Sequence, residues 1–381
     1  MKNKITIAIF LVFLAFFSAG SFLFKDKTFS ENENRYLQEL PRLTAESVAS
    51  GAFEQDMEDY VSDRLTGREF LIGAKSLLLA GLGIDEVNGV YFCEDNIYIE
   101  KKTDADVDRS IYRANLTALK KYFDALSERG LSREKLCFLP VATASALLRE
   151  KLPQNAPIFD EFEVLAAAKE ELEGYTLIDP SEAVGALETP FYKTDHHWTT
   201  DAAYAAYVLW CEATGREARA LEEYNIITAS DSFRGTLYSK VLRPDAAYDT
   251  VRFYLLKDGT EARVWCDGTE KSFTNGFYDM EYLNRKDQYA AFFGGNYGEV
   301  RILPEEQPGT GENLLILKDS YANCFVPFLY GYFDNIYMID LRYFNGNIAE
   351  YAEEHEITEV LALYNISSFV DDKTIGKAGL V

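Results

Sequence analysis

Only three histidines occur in the 381 residues, and two of them are adjacent, in "YKTDHHWTTDAAY" (192–204), with His355 far away. An aspartate, two imidazoles and an indole side by side admit three roles: metal binding, acid–base work on a nucleophile elsewhere, or packing. Adjacent residues on an extended stretch project to opposite sides, so His196 and His197 are poorly placed to share one ion. No HxxxH spacing recruits His355, and no metal site is expected. For acid–base work, Asp195 and His197 project to the same side, with His196 opposite. A carboxylate so placed holds an imidazole in one tautomer and stabilises its charged form. The packing alternative is a histidine hydrogen-bonded in a half-buried turn, ahead of a helix that Thr199 or Thr200 would cap.

A second motif supplies a nucleophile. "LLILKDSYANCF" (314–325) is a continuous apolar run ending in Asp319-Ser320, followed by Tyr321, Ala322 and an Asn323 at which a helix can start. Open α/β sheets place ligands and chemistry at the C-terminal ends of their strands. Backbone N–H groups at a helix start there can stabilise a tetrahedral oxyanion. Serine is a weak nucleophile until a base such as His197 takes its proton. The GxSxG elbow of the α/β-hydrolases is absent.

The elements that must position these residues alternate along the chain. Apolar runs at 136–142, 175–179, 313–320, 336–341 and 359–366 are separated by segments long enough for helices, among them 103–128 and 160–173. Continuous apolar strands between helices predict a parallel sheet covered on both faces. From about 225 to 310 the sequence changes to short, aromatic, glycine-punctuated pieces, which predicts a β-rich insertion on one edge. Upstream, Phe53, Met57, Tyr60, Val61 and Leu65 recur at helical steps, and "NGVYFCEDNIYIE" (88–100) reads as a hairpin.

The N-terminus bears on location. Lys2 and Lys4 precede an apolar run from Ile5 to Phe24. Twenty residues at roughly 1.5 Å each span about 30 Å, enough for a bilayer's hydrocarbon core. The run continues through Phe22, Leu23 and Phe24, beyond the small residues where a signal peptase would cut, so an uncleaved anchor is expected, with the bulk of the chain extracytoplasmic. A net charge of −24 spread along the chain repels a polymer of phosphates and argues against nucleic-acid binding. Hydrophobic residues make up 48%, enough for a large core. Cys93, Cys137, Cys211, Cys266 and Cys324 form neither a zinc pattern nor a disulfide framework.

Taken together, "KTDHHWT", "ILKDSYANCFVPFL" and "IDLRYF", with "ENRYLQELP", "DRLTGR", "NGVYF", "FRGTLYSK" and "FFGGNYG" in matching places, resemble the bacterial DHHW family. That family is related to the alginate O-acetylation proteins of the SGNH-hydrolase-like superfamily. The resemblance implies an SGNH-hydrolase-like α/β domain over 86–381, preceded by a membrane anchor (1–24) and a linker with a helical segment (25–85). It also implies Ser320 as nucleophile, His197 as general base and Asp195 as the acid that orients it, with no cofactor. Asn323, Tyr321, His196, Trp198 and Arg342 are candidates for oxyanion or substrate contacts; for Trp198 the leading expectation is packing. The glycine that usually precedes the catalytic Asp-Ser of SGNH enzymes is Lys318 here, which bears on the shape of the oxyanion hole. The implied activity is carbohydrate O-acetyl transfer or acetyl-ester hydrolysis on a cell-envelope polysaccharide, with a polytopic membrane-bound acyltransferase as acetyl donor. The competing expectation is a polysaccharide-binding or scaffold protein that keeps the fold without the chemistry.

Overall fold

The computed structural model describes residues 4–8, 10–12, 28–30, 32 and 35–380. Most of the apolar run expected to anchor the chain lies outside the described residues; 4–8 and 10–12 are helical. No helix among the described residues is long and apolar enough to cross a membrane. The chain divides into two compact units, 1–88 with 238–246, and 89–237 with 247–381.

In the first unit, helices Ala45–Ala49, Ala52–Asp63 and Arg68–Gly81 follow one another. Thr44 caps the first through Ser47 N. Gly51 and Gly67, both at positive φ, separate the helices, a conformation that costs other residues strain. The third helix comes close to residues 238–246: a Cβ on Gly73 would lie 2.4 Å from the Leu242 carbonyl oxygen. Asp63 accepts from the Gln38 amide at 2.8 Å, and Arg64 donates to the Gln38 carbonyl at 2.7 Å, fastening the second helix to the preceding linker.

The second unit is built on an eight-stranded sheet. Its strands are β1 (Leu136–Val141), β2 (Thr176–Leu177), β3 (Ala262–Cys266), β4 (Thr269–Lys271), β5 (Glu299–Pro304), β6 (Asn313–Lys318), β7 (Asn335–Ile339) and β8 (Glu359–Asn365). They lie in the order β4-β3-β5-β7-β6-β8-β1-β2. The five strands from β7 to β2 are parallel, in register through Leu315↔Tyr337, Leu317↔Ala362 and Ala362↔Phe138. Every residue of β1 and β8 is buried, which is why these strands read as unbroken apolar runs.

The sheet as a whole is mixed, and this corrects the expectation of a purely parallel one. Strands β4, β3 and β5 come from the insertion and extend the sheet antiparallel beyond β7. Asp267 and Gly268, both at positive φ, turn β3 directly into β4, and a two-residue turn of this kind can only join antiparallel neighbours. β5 alternates buried and half-buried residues, as a strand covered on one face should. Another part of the insertion forms an antiparallel pair, Tyr224–Phe233 with Asp249–Leu256.

Helices cover both faces. Successive residues of β1 enter different cores: Cys137, Leu139 and Val141 one, Leu136 and Phe138 the other. The second core receives α1 (Arg109–Glu128), α2 (Phe162–Glu171) and α5 (Ile348–Glu354). The first receives α3 (Thr200–Ala213) and α4 (Ala322–Phe325). Asp319 and Ser320 thus lie where β6 meets α4, at the C-terminal edge of the parallel strands.

Candidate active site

The segment carrying Asp195, His196 and His197 is not extended. Phe191 and Trp198 pair as an antiparallel bridge, and the residues between them close into a loop with Tyr192 N donating to His197 O at 3.2 Å. Thr199 then caps α3 through Ala202 N. Asp195 and His197 are therefore brought together by a turn rather than by strand alternation. One carboxylate oxygen, Asp195 Oδ1, accepts from the His197 amide at 2.9 Å and lies 2.5 Å from His197 Nδ1. A short acidic side chain that captures an amide two residues on is the usual means of fixing such a turn.

The other imidazole nitrogen, Nε2, is 2.7 Å from Ser320 Oγ. Asp195, His197 and Ser320, the last from a loop 123 residues downstream, thus form one hydrogen-bonded line. All three are buried, Ser320 keeping 9% of its surface. Burial opposes ionisation of Asp195, but His197, His196 and the Thr236 amide outweigh it and hold the carboxyl well below the usual range. Burial, followed by neighbouring His196, pushes His197 down to about 4 against the pull of Asp195. At neutral pH the pair is thus carboxylate and neutral imidazole, with Nε2 able to accept a proton.

Two residues far from the motif complete the support of Asp195. Thr236 donates to Asp195 Oδ2 from its amide at 2.7 Å and its hydroxyl at 3.0 Å. The Gly235 amide donates to Thr194 Oγ1 at 3.1 Å. Beneath them, buried Asp249 accepts from the Lys193 and Thr194 amides and the Thr194 hydroxyl at 2.6, 2.9 and 2.5 Å. Burial pushes the Asp249 carboxyl up to about 6 despite these bonds. The "FRGTLYSK" stretch was visible as a shared motif; only folding shows that its glycine and threonine seat the aspartate.

On the serine side, Asp319 is buried, accepts from the Tyr321 amide at 2.8 Å and from the Asn365 amide at 2.8 Å, and so ties the end of β6 to the end of β8. The Tyr321 amide is therefore committed, whereas the Ser320 amide has no acceptor among the described residues. The helix after the serine has only four residues and begins at Ala322, with Asn323 already inside it rather than at its start. Lys318 is buried, and its ammonium turns to Asn323 Oδ1 at 2.6 Å and Asn296 Oδ1 at 3.3 Å. Burial depresses its pKa to about 8.

The remaining candidates fall in different places. His196 does not face away from His197: the ring centroids are 3.9 Å apart, and His196 Nδ1 is 2.7 Å from Thr236 Oγ1. It is half-exposed and lines, with Thr143, Ser145, Asn365 and Ser368, a cavity of about 40 Å³. An adjoining cleft of about 650 Å³ shares Lys102, Ser367 and Ser368 with that cavity and also takes in Arg342. Arg342 is paired to Asp340 through two bonds of 2.6 and 2.8 Å, with no bond to Ser320. Trp198 is wholly buried against Tyr321 and Phe325 and donates from Nε1 to the Tyr321 carbonyl at 3.0 Å, leaving no face for a sugar. Tyr321 is also buried, donating its hydroxyl to the His196 carbonyl at 2.6 Å. Both side chains are enclosed, with their polar atoms engaged. Asn323 is 2% exposed and occupied by Lys318 and Asn296.

The expectation that the two imidazoles cannot approach one ion is also revised, because ligand atoms of Asp195, His196 and His197 all lie within 4.8 Å of one another. Nδ1 and Nε2 of His197 are both engaged, as is Nδ1 of His196, so an ion would have to displace those hydrogen bonds.

Residues 184–339 match the profile of the DHHW protein family, the family that the motifs resemble. A DHHW family protein from Eubacterium siraeum has a similar fold at 24% identity, over 77% of this chain and 95% of its own, with a TM-score of 0.63. Bacillus cereus PatB1 with a sulfonyl adduct is similar at 20% identity over 75% of this chain and 98% of its own, also at 0.63. A further PatB1 structure gives 22%, 74%, 97% and 0.63 in the same order. At these identities the likeness speaks for the fold. No curated protein matches the sequence significantly.

Proposed function

We propose that this chain is a serine-dependent carbohydrate O-acetyltransferase or acetylesterase that works through an acetyl–Ser320 intermediate. The observation that supports it most is the line Asp195–His197–Ser320, with 2.5 Å at Nδ1 and 2.7 Å at Nε2. His197 Nε2 takes the Ser320 proton as Oγ attacks the acetyl carbonyl. The tetrahedral intermediate collapses, the donor's C–O bond breaks, and the imidazolium returns the proton to the departing oxygen. An acceptor hydroxyl, or water, then gives its proton to Nε2 and attacks the acyl carbon; the acyl–Oγ bond breaks and the imidazolium returns that proton to Ser320 Oγ. Asp195, kept ionised, holds the imidazole's tautomer and balances its charge throughout. The uncommitted Ser320 amide is the nearest candidate for an oxyanion donor.

The substrate in this reading is a cell-envelope polysaccharide, with a polytopic membrane-bound acyltransferase as acetyl donor and the N-terminal apolar run as anchor beside it. PatB1, which shares the fold, is known with a sulfonyl adduct, and a sulfonyl fluoride is the matching probe for an activated hydroxyl here. Detergent-solubilised full chain should release acetate from 4-nitrophenyl acetate and gain one sulfonyl group at Ser320, and Ser320→Ala should do neither while melting as the wild type does. Equal acetate release by both proteins would sink the proposal. A soluble glycan that speeds turnover would mark transfer over hydrolysis.

A further inference from the structure

Tyr289 touches both halves of the Ser–His pair. It sits in a short 3-10 turn, Tyr289–Ala291, within the insertion, and is 4% exposed. Its ring stacks on His197 with centroids 3.7 Å apart and planes 12° from parallel. Its hydroxyl donates to the Ser320 carbonyl at 2.9 Å. His196 leans on the same imidazole with centroids 3.9 Å apart and planes tilted by 37°. Tyr289 thus covers one face of the imidazole, and His196 packs against the same ring at an angle. Asp195 and Ser320 occupy its two nitrogens in plane.

We propose that Tyr289 is the positioning residue of the reactive pair, keeping the imidazole in plane with Ser320 while pinning the serine's backbone at the distance the imidazole reaches. The proposal rests on the triad reading above. Its physical basis is that a base and nucleophile supplied by separate loops drift unless something spans them, and that an error of about 1 Å in such geometry costs about 10²-fold in rate. The hydroxyl fixes one loop and the ring the other. Tyr289 itself does no proton chemistry, because burial raises its phenol far above the usual range.

The titratable groups facing His197 are Asp195, His196 and Lys318, with the phenols of Tyr289 and Tyr321 neutral. Lys286 acts one step removed, on Asp195. Replacing Tyr289 changes none of these charges but admits water to one face of the imidazole.

The test is an NMR titration of the imidazoles, of which only three exist, alongside sulfonyl fluoride labelling of Ser320. Tyr289→Leu should move the His197 midpoint upward from about 4 towards the ordinary value of about 6.5 and slow labelling about 100-fold. Tyr289→Phe keeps the ring, so the midpoint should stay while labelling falls about fivefold, the size of one neutral hydrogen bond. A Tyr289→Leu protein that titrates and labels as the wild type does overturns the proposal. Should that variant not fold, unchanged labelling of Tyr289→Phe overturns it equally. Wild type that is never labelled at Ser320 would instead defeat the triad reading, and the titration would still judge the positioning role.

Discussion

Gly235 has no room for a side chain because Asp195 occupies it: a Cβ built there would lie 2.2 Å from both the Cβ and Oδ2 of the aspartate. The carboxylate cannot retreat, since the Thr236 amide and hydroxyl hold Oδ2 and His197 holds Oδ1. Gly235→Ala should therefore displace Asp195 from His197. The expected result is about 100-fold slower labelling of Ser320 and a stability loss of about 1–3 kcal/mol from overpacking. Labelling kinetics and a thermal melt check both, and an alanine variant that reacts at the wild-type rate would show that the contact is dispensable.

The pH dependence should carry the mark of a buried base. Because His197 is pushed to about 4, the neutral imidazole that the proposed mechanism needs to accept the Ser320 proton is present from mildly acidic pH upward. The ratio kcat/KM for an activated acetyl ester should rise through about pH 4 and stay level to 7, whereas an unperturbed histidine would place the rise near 6.5. The same shift acts on stability. Between pH 4 and 6.5 the unfolded histidine binds a proton that the folded one does not, so its contribution grows as pH rises across that window. A kinetic midpoint above 6 would contradict the burial argument.

How much of this was readable beforehand differs by residue. The buried strands announced themselves because both faces of β1, β6 and β8 meet helices, and such strands carry no polar alternation. The antiparallel edge was hidden, because glycine-punctuated pieces of the insertion read the same whether they stand apart or add to a sheet. Asp195 and His197 were paired by strand spacing, yet the pairing arises from a turn that sets both the amide and Nδ1 on one oxygen. The assumption that put them together also turned His196 the wrong way. Thr236 and Tyr289 lie 41 residues beyond Asp195 and 31 before Ser320, and no periodicity links residues across such spans. For Lys318, sequence showed the departure from glycine but not where the ammonium would go.

Beneath the loop, Asp249 is a test of whether support at a distance matters. Its two oxygens meet three donors, the amides of Lys193 and Thr194 and the Thr194 hydroxyl. In Asp249→Asn the new NH2 must face one of the amides whichever way it turns, leaving a buried donor against a donor. A loss of about 1–3 kcal/mol is expected in denaturant unfolding, with slower Ser320 labelling because Thr194 adjoins Asp195. An asparagine variant with the wild-type unfolding midpoint would mean that the loop is held elsewhere.

Lys318 stands at the end of β6, next to Asp319 and Ser320, and the structure gives it work as a buried donor to Asn323 and Asn296. Keeping an ammonium there is costly, and its pKa falls from 10.5 to about 8. The sign follows from proton counting. Between pH 8 and 10.5 the unfolded chain holds a proton on this lysine that the folded chain has lost, so folded stability gains as pH rises through that window. The gain is about 3 kcal/mol at most. Lys318→Met removes that gain, and comparing the two proteins cancels every other group that titrates there. At pH 7 the variant loses the two donated bonds but also the cost of the buried charge, so its stability should fall within about 2 kcal/mol of the wild type. Denaturant unfolding of both proteins at pH 7, 8, 9 and 10 gives the curve. If their difference stays flat across the series, Lys318 is neither buried nor charged in the way described.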